Sequence, residues 1–270
     1  MPFSVLMSLY AKEHTDYLRQ SLESVFNQTL PPDEVILVED GPLTSELYSV
    51  VNEFVQKHNE LKIIKIKKNG GLGRALNEGL KHCSHELVAR MDTDDISLPD
   101  RFEKEVTFMN SHPEIDVCSA WIAEFDEDNP DDIISIKKLP ETHDELYKYG
   151  KFRCPINHPA SIFRKKAVID SGSYQHIRLF EDYYLWGRMM VKGYKFHNIQ
   201  ETLLKFRLSP QMYSRRGGLK YALTEINLIN KFRKIGYVDF LSSVFAIISR
   251  FIVRIIPNST RKLIYTKLLR

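Results

Sequence analysis

The chain has 270 residues, 43% of them hydrophobic and 27% charged, which is ordinary for a globular protein long enough to bury a sizeable core. A net charge of +3 is too small to argue for nucleic acid. Cys83, Cys118 and Cys154 stand apart in no CxxC pattern, which excludes a thiolate zinc site and fits a reducing, cytoplasmic setting.

Residues 3–10, FSVLMSLY, form an apolar run of strand length. Thr15 to Gln28 then reads as a helix, with Leu18, Leu22, Val25 and Phe26 at three- and four-residue spacing. Pro31-Pro32-Asp33 breaks it, and VILVED (35–40) is a second strand. A helix through Glu46 to Lys57 leads to a third strand, LKIIKIKK; NGGLGRALNEGL opens another helix, and ELVARM (86–91) is a fourth strand. This alternation predicts βαβ units in a mostly parallel sheet, with ligands held at the carboxyl ends of the strands. Asp40 and Asp92 both fall at such ends.

Further on, SLPDRFEKEVTFMNSHP predicts a helix with Pro99 near its first turn, where a missing N–H costs nothing. IDVCSAWIAEF reads as a strand, and the acidic residues 126–150 as an irregular, exposed excursion. NHPASIFRKKAV gives a strand and a short helix, and LFEDYYLWGRMMVKG a helix with Glu181 and Asp182 in its first turn. Two short apolar segments (196–199, 203–206) precede a polar loop, SPQMYSRRGG, and the pattern is helical from Leu219 to the end. No basic n-region with an apolar core opens the sequence, and no apolar run reaches the roughly 18 residues of a spanning helix.

Three carboxylates, Asp92, Asp94 and Asp95, follow the fourth strand at once. In an extended segment Asp92 and Asp94 face the same side. Such oxygen-only ligands suit Mg²⁺ or Mn²⁺ holding substrate phosphates; a solvated acidic turn feeding the next helix is the alternative. Asp40 before Gly41 is a turn former or an acceptor for a base or ribose. NGGLGRALNEG lacks the third glycine of a dinucleotide fingerprint, since Leu76 stands there, and no Gly-Lys-Ser/Thr follows for a Walker loop. Its glycines still permit close backbone approach, and Arg74 is placed to meet a phosphate. Glu181 and Asp182 complement a helix dipole or supply a general base. His158, in Asn157-His158-Pro159, is a satisfied turn histidine or a substrate contact.

Charge is unevenly spread. From Lys231 to Arg270 nine Lys or Arg face the single acid Asp239, giving +8 and leaving about −5 for the rest. The stretch DFLSSVFAIISRFIVRIIPNSTRKLIYTKLLR interleaves apolar segments with Arg250, Arg254, Arg261 and Lys262. These are poor residues for a buried helix, so an interfacial helix is expected, its apolar face in lipid and its cations at anionic headgroups, each adding about 1 kcal/mol.

Taken together, these pieces resemble the family 2 glycosyltransferases, inverting enzymes of the GT-A fold: an α/β, Rossmann-like, mostly parallel sheet flanked by helices. SVLMSLY looks like the family's opening strand, with Ser8 and Tyr10 near the nucleotide base. VEDGP is similar to the second-strand motif, placing Asp40 at the base, commonly uracil. Asn69, Gly71, Ala75, Asn77 and Gly79 fit N-x-G-x-x-x-A-x-N-x-G. MDTDD resembles the DxD element, with Asp92 toward ribose and diphosphate and Asp94 on Mn²⁺ or Mg²⁺, alone or with Asp92 or Asp95. FEDYYLWGR looks like the ED segment, making Asp182 the base and Glu181 its neighbour. Ser8 and Ala11 replace the Pro and Asn often found around the tyrosine.

The resemblance covers roughly residues 3–207. It implies a catalytic domain over 1–207, with a nucleotide-sugar half (1–97) and an acceptor half (98–207). A loop and helix (208–235) and basic amphipathic helices (236–270) follow. Gln211 to Arg216 lacks the Q-x-x-R-W signature of processive synthases, so single sugars are expected to pass from a nucleotide-diphosphate sugar, UDP-linked, to a glycan or polyprenyl-lipid-linked acceptor. Arg215 and Arg216 are candidates to close over the diphosphate, or belong to a solvated basic loop. The expected place is cytoplasmic, peripheral on the inner face of the cell membrane, as for enzymes building bacterial cell-surface polysaccharide. A non-catalytic nucleotide-sugar-binding or membrane-docking module is the alternative. A sugar nucleotidyltransferase is discounted, since Tyr10-Ala11-Lys12-Glu13 carries no glycine.

Overall fold

The computed structural model describes residues 1–127, 129–209 and 218–255. The elements run β1 (Phe3–Leu9), α1 (Thr15–Phe26), β2 (Glu34–Asp40), α2 (Ser45–Lys57), β3 (Leu61–Ile66), α3 (Leu72–His82), β4 (Leu87–Arg90), β5 (Ile96–Ser97) and α4 (Arg101–Ser111). After them come β6 (Val117–Asp126), β7 (Asn129–Lys137), α5 (His143–Tyr149), a 3₁₀ turn (His158–Ala160), β8 (Ser161–Arg164), α6 (Lys165–Asp170), α7 (Glu181–Val191), β9 (Phe196–Leu208), α8 (Leu219–Lys234) and α9 (Phe240–Ile255).

One sheet takes the order β3-β2-β1-β4-β8-β6-β9-β5, with β7 added to β6. The first four strands are parallel. Direction changes at β8, which is antiparallel to both β4 and β6, so the carboxyl end of β4 lies where the sheet changes character, a place where α/β folds open a crevice. Alternation along the strands sorts side chains onto two faces. Phe3, Val5, Met7 and Leu9 of β1 pack with α1, α2 and α4, whereas Leu6 joins Ile36, Val38, α3 and α7. On this second face α3 comes unusually close: a Cβ on Gly79 would fall 2.6 Å from Val38 Cγ2 and nearer still to Leu6 Cδ1.

Four sequence expectations change. Residues 126–150 are not irregular: they form β7, exposed and antiparallel to β6, and α5, whose Thr142 and Glu145 make a reciprocal capping box. The apolar segments 196–199 and 203–206 are one strand, β9, shifted in register where polar Gln200 to Thr202 intervenes. Pro99 precedes α4 instead of lying inside it, because Ile96–Ser97 pairs with β9 as β5. Arg250, expected among the headgroup-facing cations, turns inward: it lies 3.7 Å from Glu225 and donates to the Phe152 carbonyl.

Helices α8 and α9 pack on each other. Ser243 and Ala246 of α9 are buried, but Phe240, Leu241, Val244, Phe245 and Ile248 are exposed, a stripe at helical spacing with no cover among the described residues. Among those residues no helix is long and apolar enough to cross a membrane. Arg215, Arg216, Arg261, Lys262 and the rest of 256–270 lie outside them.

Candidate active site

The crevice is built from four loops at strand ends. Ser8 lies near the end of β1, and its carbonyl accepts a bond from the Thr93 hydroxyl at 3.4 Å. Tyr10, just beyond, is 39% exposed. Asp40 closes β2, buried, and its two carboxylate oxygens accept from the backbone N–H groups of Gly70 (2.8 Å) and Gly71 (2.9 Å). Asn69 adds a side-chain bond to the Asp40 carbonyl. The acid expected at the base therefore shapes the glycine turn. Gly71 starts α3 at φ +87°, which favours glycine, and a Cβ there would meet nothing within 4 Å. Arg74 is exposed in the first turn of α3, beside Gly70.

The acids after β4 sit in a cage of buried charge that the sequence did not reveal. Arg90, fully buried, donates to the Leu6 carbonyl and pairs with Asp92. Its neighbour Arg101 donates to the Arg90 carbonyl at 2.7 Å and pairs with buried Glu105 at 3.0 Å. Burial pushes Asp94 up to about 7, helped by the charges of Asp92 and Glu13. Burial likewise raises Asp95, then the charges of Asp94 and Asp92. Glu13 contributes from the loop after β1, held by the Thr93 hydroxyl at 2.8 Å.

Arg207, at the end of β9, counters this charge. Its backbone N–H donates to Asp95 Oδ1 (2.9 Å), Nε to the Asp94 carbonyl (2.8 Å), Nη1 to the Glu127 carbonyl and Nη2 to Gln20 (both 2.7 Å). The guanidinium lies 3.8 Å from the Tyr17 ring centre and 4.6 Å from that of Phe125. Among the described residues no three His, Cys, Asp or Glu side chains form a metal cage. The donor set nevertheless fits a hard divalent cation that completes its shell with substrate oxygens. The acids are crowded against their own charge, and the buried Oδ2 of Asp95 has no hydrogen-bond partner.

Glu181 and Asp182 open α7. A Cβ on Gly73, in the first turn of α3, would fall 3.0 Å from Glu181 Cγ, so the two helix starts touch. Asp182 is raised by burial, opposed by backbone hydrogen bonding, and Asp92 is close enough to push it further. The Cys154 thiol lies 3.9 Å from Asp182 Oδ2. Glu181 is raised by burial too, with Asp182 adding to it. His158 is buried, 3.0 Å from the Tyr174 hydroxyl, and is held well below its ordinary value by burial and then by Arg90. The same Tyr174 exchanges two backbone bonds with the Asn77 side-chain amide, at 2.7 and 2.9 Å. Asn77 and His158 thus join α3 to the 3₁₀ turn before β8 through one tyrosine.

A sequence profile described as Glycosyl transferase family 2 matches residues 4–171, more than half of the chain. The chain belongs to glycosyltransferase family 2. Among its curated relatives are an uncharacterized glycosyltransferase of Haemophilus influenzae, 43% identical over the whole of both chains, and two from other bacteria. One is the UDP-Gal:alpha-D-GlcNAc-diphosphoundecaprenol beta-1,3-galactosyltransferase of Escherichia coli, 41% identical over 99% of this chain and 96% of that one. The other is the amylovoran biosynthesis glycosyltransferase AmsE of Erwinia amylovora, 40% identical over 98% of each. Identity at this level over full length makes the chain a hexosyltransferase. Among solved structures, S. aureus TarS 1–349 in complex with UDP-GlcNAc superposes with a TM-score of 0.67 at 18% identity, covering 94% of this chain and 72% of that one. This likeness bears out the GT-A fold.

Proposed function

We propose that this glycosyltransferase moves one hexose or N-acetylhexosamine from a UDP-sugar to a hydroxyl of a lipid-linked glycan, in a single inverting displacement. The observation that carries the reading is the meeting of three parts: the first turn of α3, the start of α7 and the acids after β4. The contact of Gly73 with Glu181 and the charge effect of Asp92 on Asp182 support Asp182 as the base. The named activity of the E. coli relative supports UDP-galactose and a diphospholipid-linked acceptor as the first substrates to try.

In this mechanism Tyr10, Ser8 and Asp40 line the base, Asn69, Gly71 and Arg74 the phosphates, and Asp92 the ribose and diphosphate. Mn²⁺ or Mg²⁺ on Asp94, alone or with Asp92 or Asp95, would supply positive charge to the diphosphate oxygens. Asp182 accepts the proton of the acceptor hydroxyl as that oxygen bonds to the anomeric carbon. The bond from that carbon to the diphosphate oxygen breaks, and its electron pair leaves with UDP. Burial favours this step, because a carboxylate raised above its ordinary value takes a proton more readily. Glu181 orients its neighbour, and His158, paired with Tyr174, sets the wall beside it.

The reading also places the enzyme on the inner face of the cell membrane. The exposed stripe of α9 offers the apolar side, and the sequence beyond Arg250 carries five more cations and no acid. UDP release from a panel of UDP-sugars with Mn²⁺, plus a diphospholipid acceptor, tests the transfer. Asp182→Asn is expected to lower kcat about 10²–10⁴-fold with little change in donor KM. No turnover with any donor, or an unaffected Asp182→Asn variant, sinks the proposal.

A further inference from the structure

A second cleft, of about 350 Å³, lies between the loop before α7 and the first turns of α8, lined among others by His176, Arg178, Lys220, Leu223, Thr224 and Asn227. His176, Arg178 and Lys220 are exposed. Among the described residues none of the three lies within 4 Å of a carboxylate oxygen. Arg178 and Lys220 bring two cations to the cleft from facing elements, with Glu181 near enough to His176 to interact with it electrostatically, and paired cations on facing elements suit an anion. The loop carrying them is held on both sides. Tyr174 is tied to Asn77, and Phe180 packs on Tyr221 of α8 with ring centres 5.3 Å apart.

We propose that this cleft receives the phosphate groups joining an acceptor sugar to its lipid, with Arg178 and Lys220 as their cationic partners. The inference rests on the transfer reading above and extends it from the hydroxyl that reacts to the far end of the same acceptor. Arg178 precedes Asp182 by four residues, so their Cα atoms are no more than about 14 Å apart. One sugar ring, with a carboxylate at its hydroxyl and a guanidinium at its anomeric phosphate, fits within that limit. A diphosphate brings two or more negative charges to two cations, and guanidinium matches phosphate oxygens in pairs. Beyond the phosphates the acceptor becomes hydrocarbon, and α8 offers apolar surface beside Lys220: Leu219 and Leu223 are 62% and 56% exposed, Leu223 lining the cleft itself. Thr224 and Asn227 add polar groups on the same side of the cleft.

The test uses the full chain, UDP-galactose, and two acceptors: N-acetylglucosaminyl diphosphate carrying an undecyl tail, and undecyl N-acetylglucosaminide without phosphate. The Arg178→Ala/Lys220→Ala variant is expected to raise KM for the diphosphate acceptor about ten-fold or more, leaving KM for the uncharged acceptor where it was. Equal shifts for both acceptors, or none, overturn the proposal. So does a variant that loses only its binding to phosphatidylglycerol vesicles, because the cations then serve headgroups. If neither acceptor is glycosylated, the transfer reading fails by itself. Binding of undecyl diphosphate in EDTA then decides the cleft: about ten-fold weaker binding in the variant upholds it, and unchanged binding overturns it.

Discussion

Replacing Arg207 by Ala is the most informative single change outside the reacting groups. The side chain is buried, and its three nitrogens donate to the Asp94 carbonyl, the Glu127 carbonyl and Gln20, between the rings of Tyr17 and Phe125. Each bond from a charged donor is worth about 1.5–3 kcal/mol, and losing the residue strands two carbonyls. Water entering the vacated space recovers part of this, so the net cost is about 3–5 kcal/mol. For a domain of this size that corresponds to a melting temperature lower by roughly 6–20 °C. Arg207→Lys keeps the charge but not the planar fork, and should fall between the two. Either change loosens the loop that presents Asp94 and Asp95, because the Asp94 and Glu127 carbonyls lose the fork that holds them. Half-saturation of UDP release by Mn²⁺ should therefore move to higher concentration in Arg207→Lys. Thermal unfolding and a Mn²⁺ titration read the two effects. A variant that melts within about 2 °C of the parent, with the same titration curve, refutes the assigned role.

Three further changes probe other parts. Glu34 is buried; although burial alone would raise it, bonds from Lys62, Ser4 and Ser84 take it from 4.5 down to about 2. Its stabilisation, up to about 3 kcal/mol, is therefore present above pH ~4.5 and lost as pH falls toward 2; denaturation at pH 5 and pH 2.5 should show Glu34→Gln losing less on acidification than the parent, and parallel losses contradict the assignment. Gly79→Ala should lower the urea midpoint by about 1–3 kcal/mol equivalent, despite the ~1 kcal/mol that alanine gains in a helix; a stabilised variant means α3 does not approach Leu6 and Val38 as closely as described. Phe245→Glu should weaken sedimentation with phosphatidylglycerol vesicles about ten-fold or more, and a wild-type chain that ignores such vesicles refutes the docking role of α9.

The first half of the fold is readable from residue pattern because propensity and burial agree there. β1 to β4 are apolar runs bounded by turn residues, and α1 to α3 repeat at helical spacing. β7 is hidden because Asn129 to Lys137 is exposed and acidic, and only its pairing with β6 makes it a strand. β9 reads as two pieces because Gln200 and Glu201 interrupt its apolar pattern at the register shift. In the site, the motif acids are legible, but Arg90, Arg101, Glu105 and Arg207 are not. A charged side chain is taken for surface unless its partner is known; Glu105 and Asp92 lie close in sequence to Arg101 and Arg90, but the carbonyls that hold Arg90 and Arg207 come from distant segments. Arg250 is hidden for the same reason, since Glu225 offers it a buried mate.

The doubly bonded amide of Asn77 and main chain of Tyr174, 97 positions apart in sequence, has a bearing on engineering. Swapping everything after β4 for the equivalent portion of a relative should keep the two parts docked only if the incoming tyrosine loop met Asn77 in the same register. Chimeras should therefore be chosen by the fit of this one clasp before any residue that touches sugar is considered.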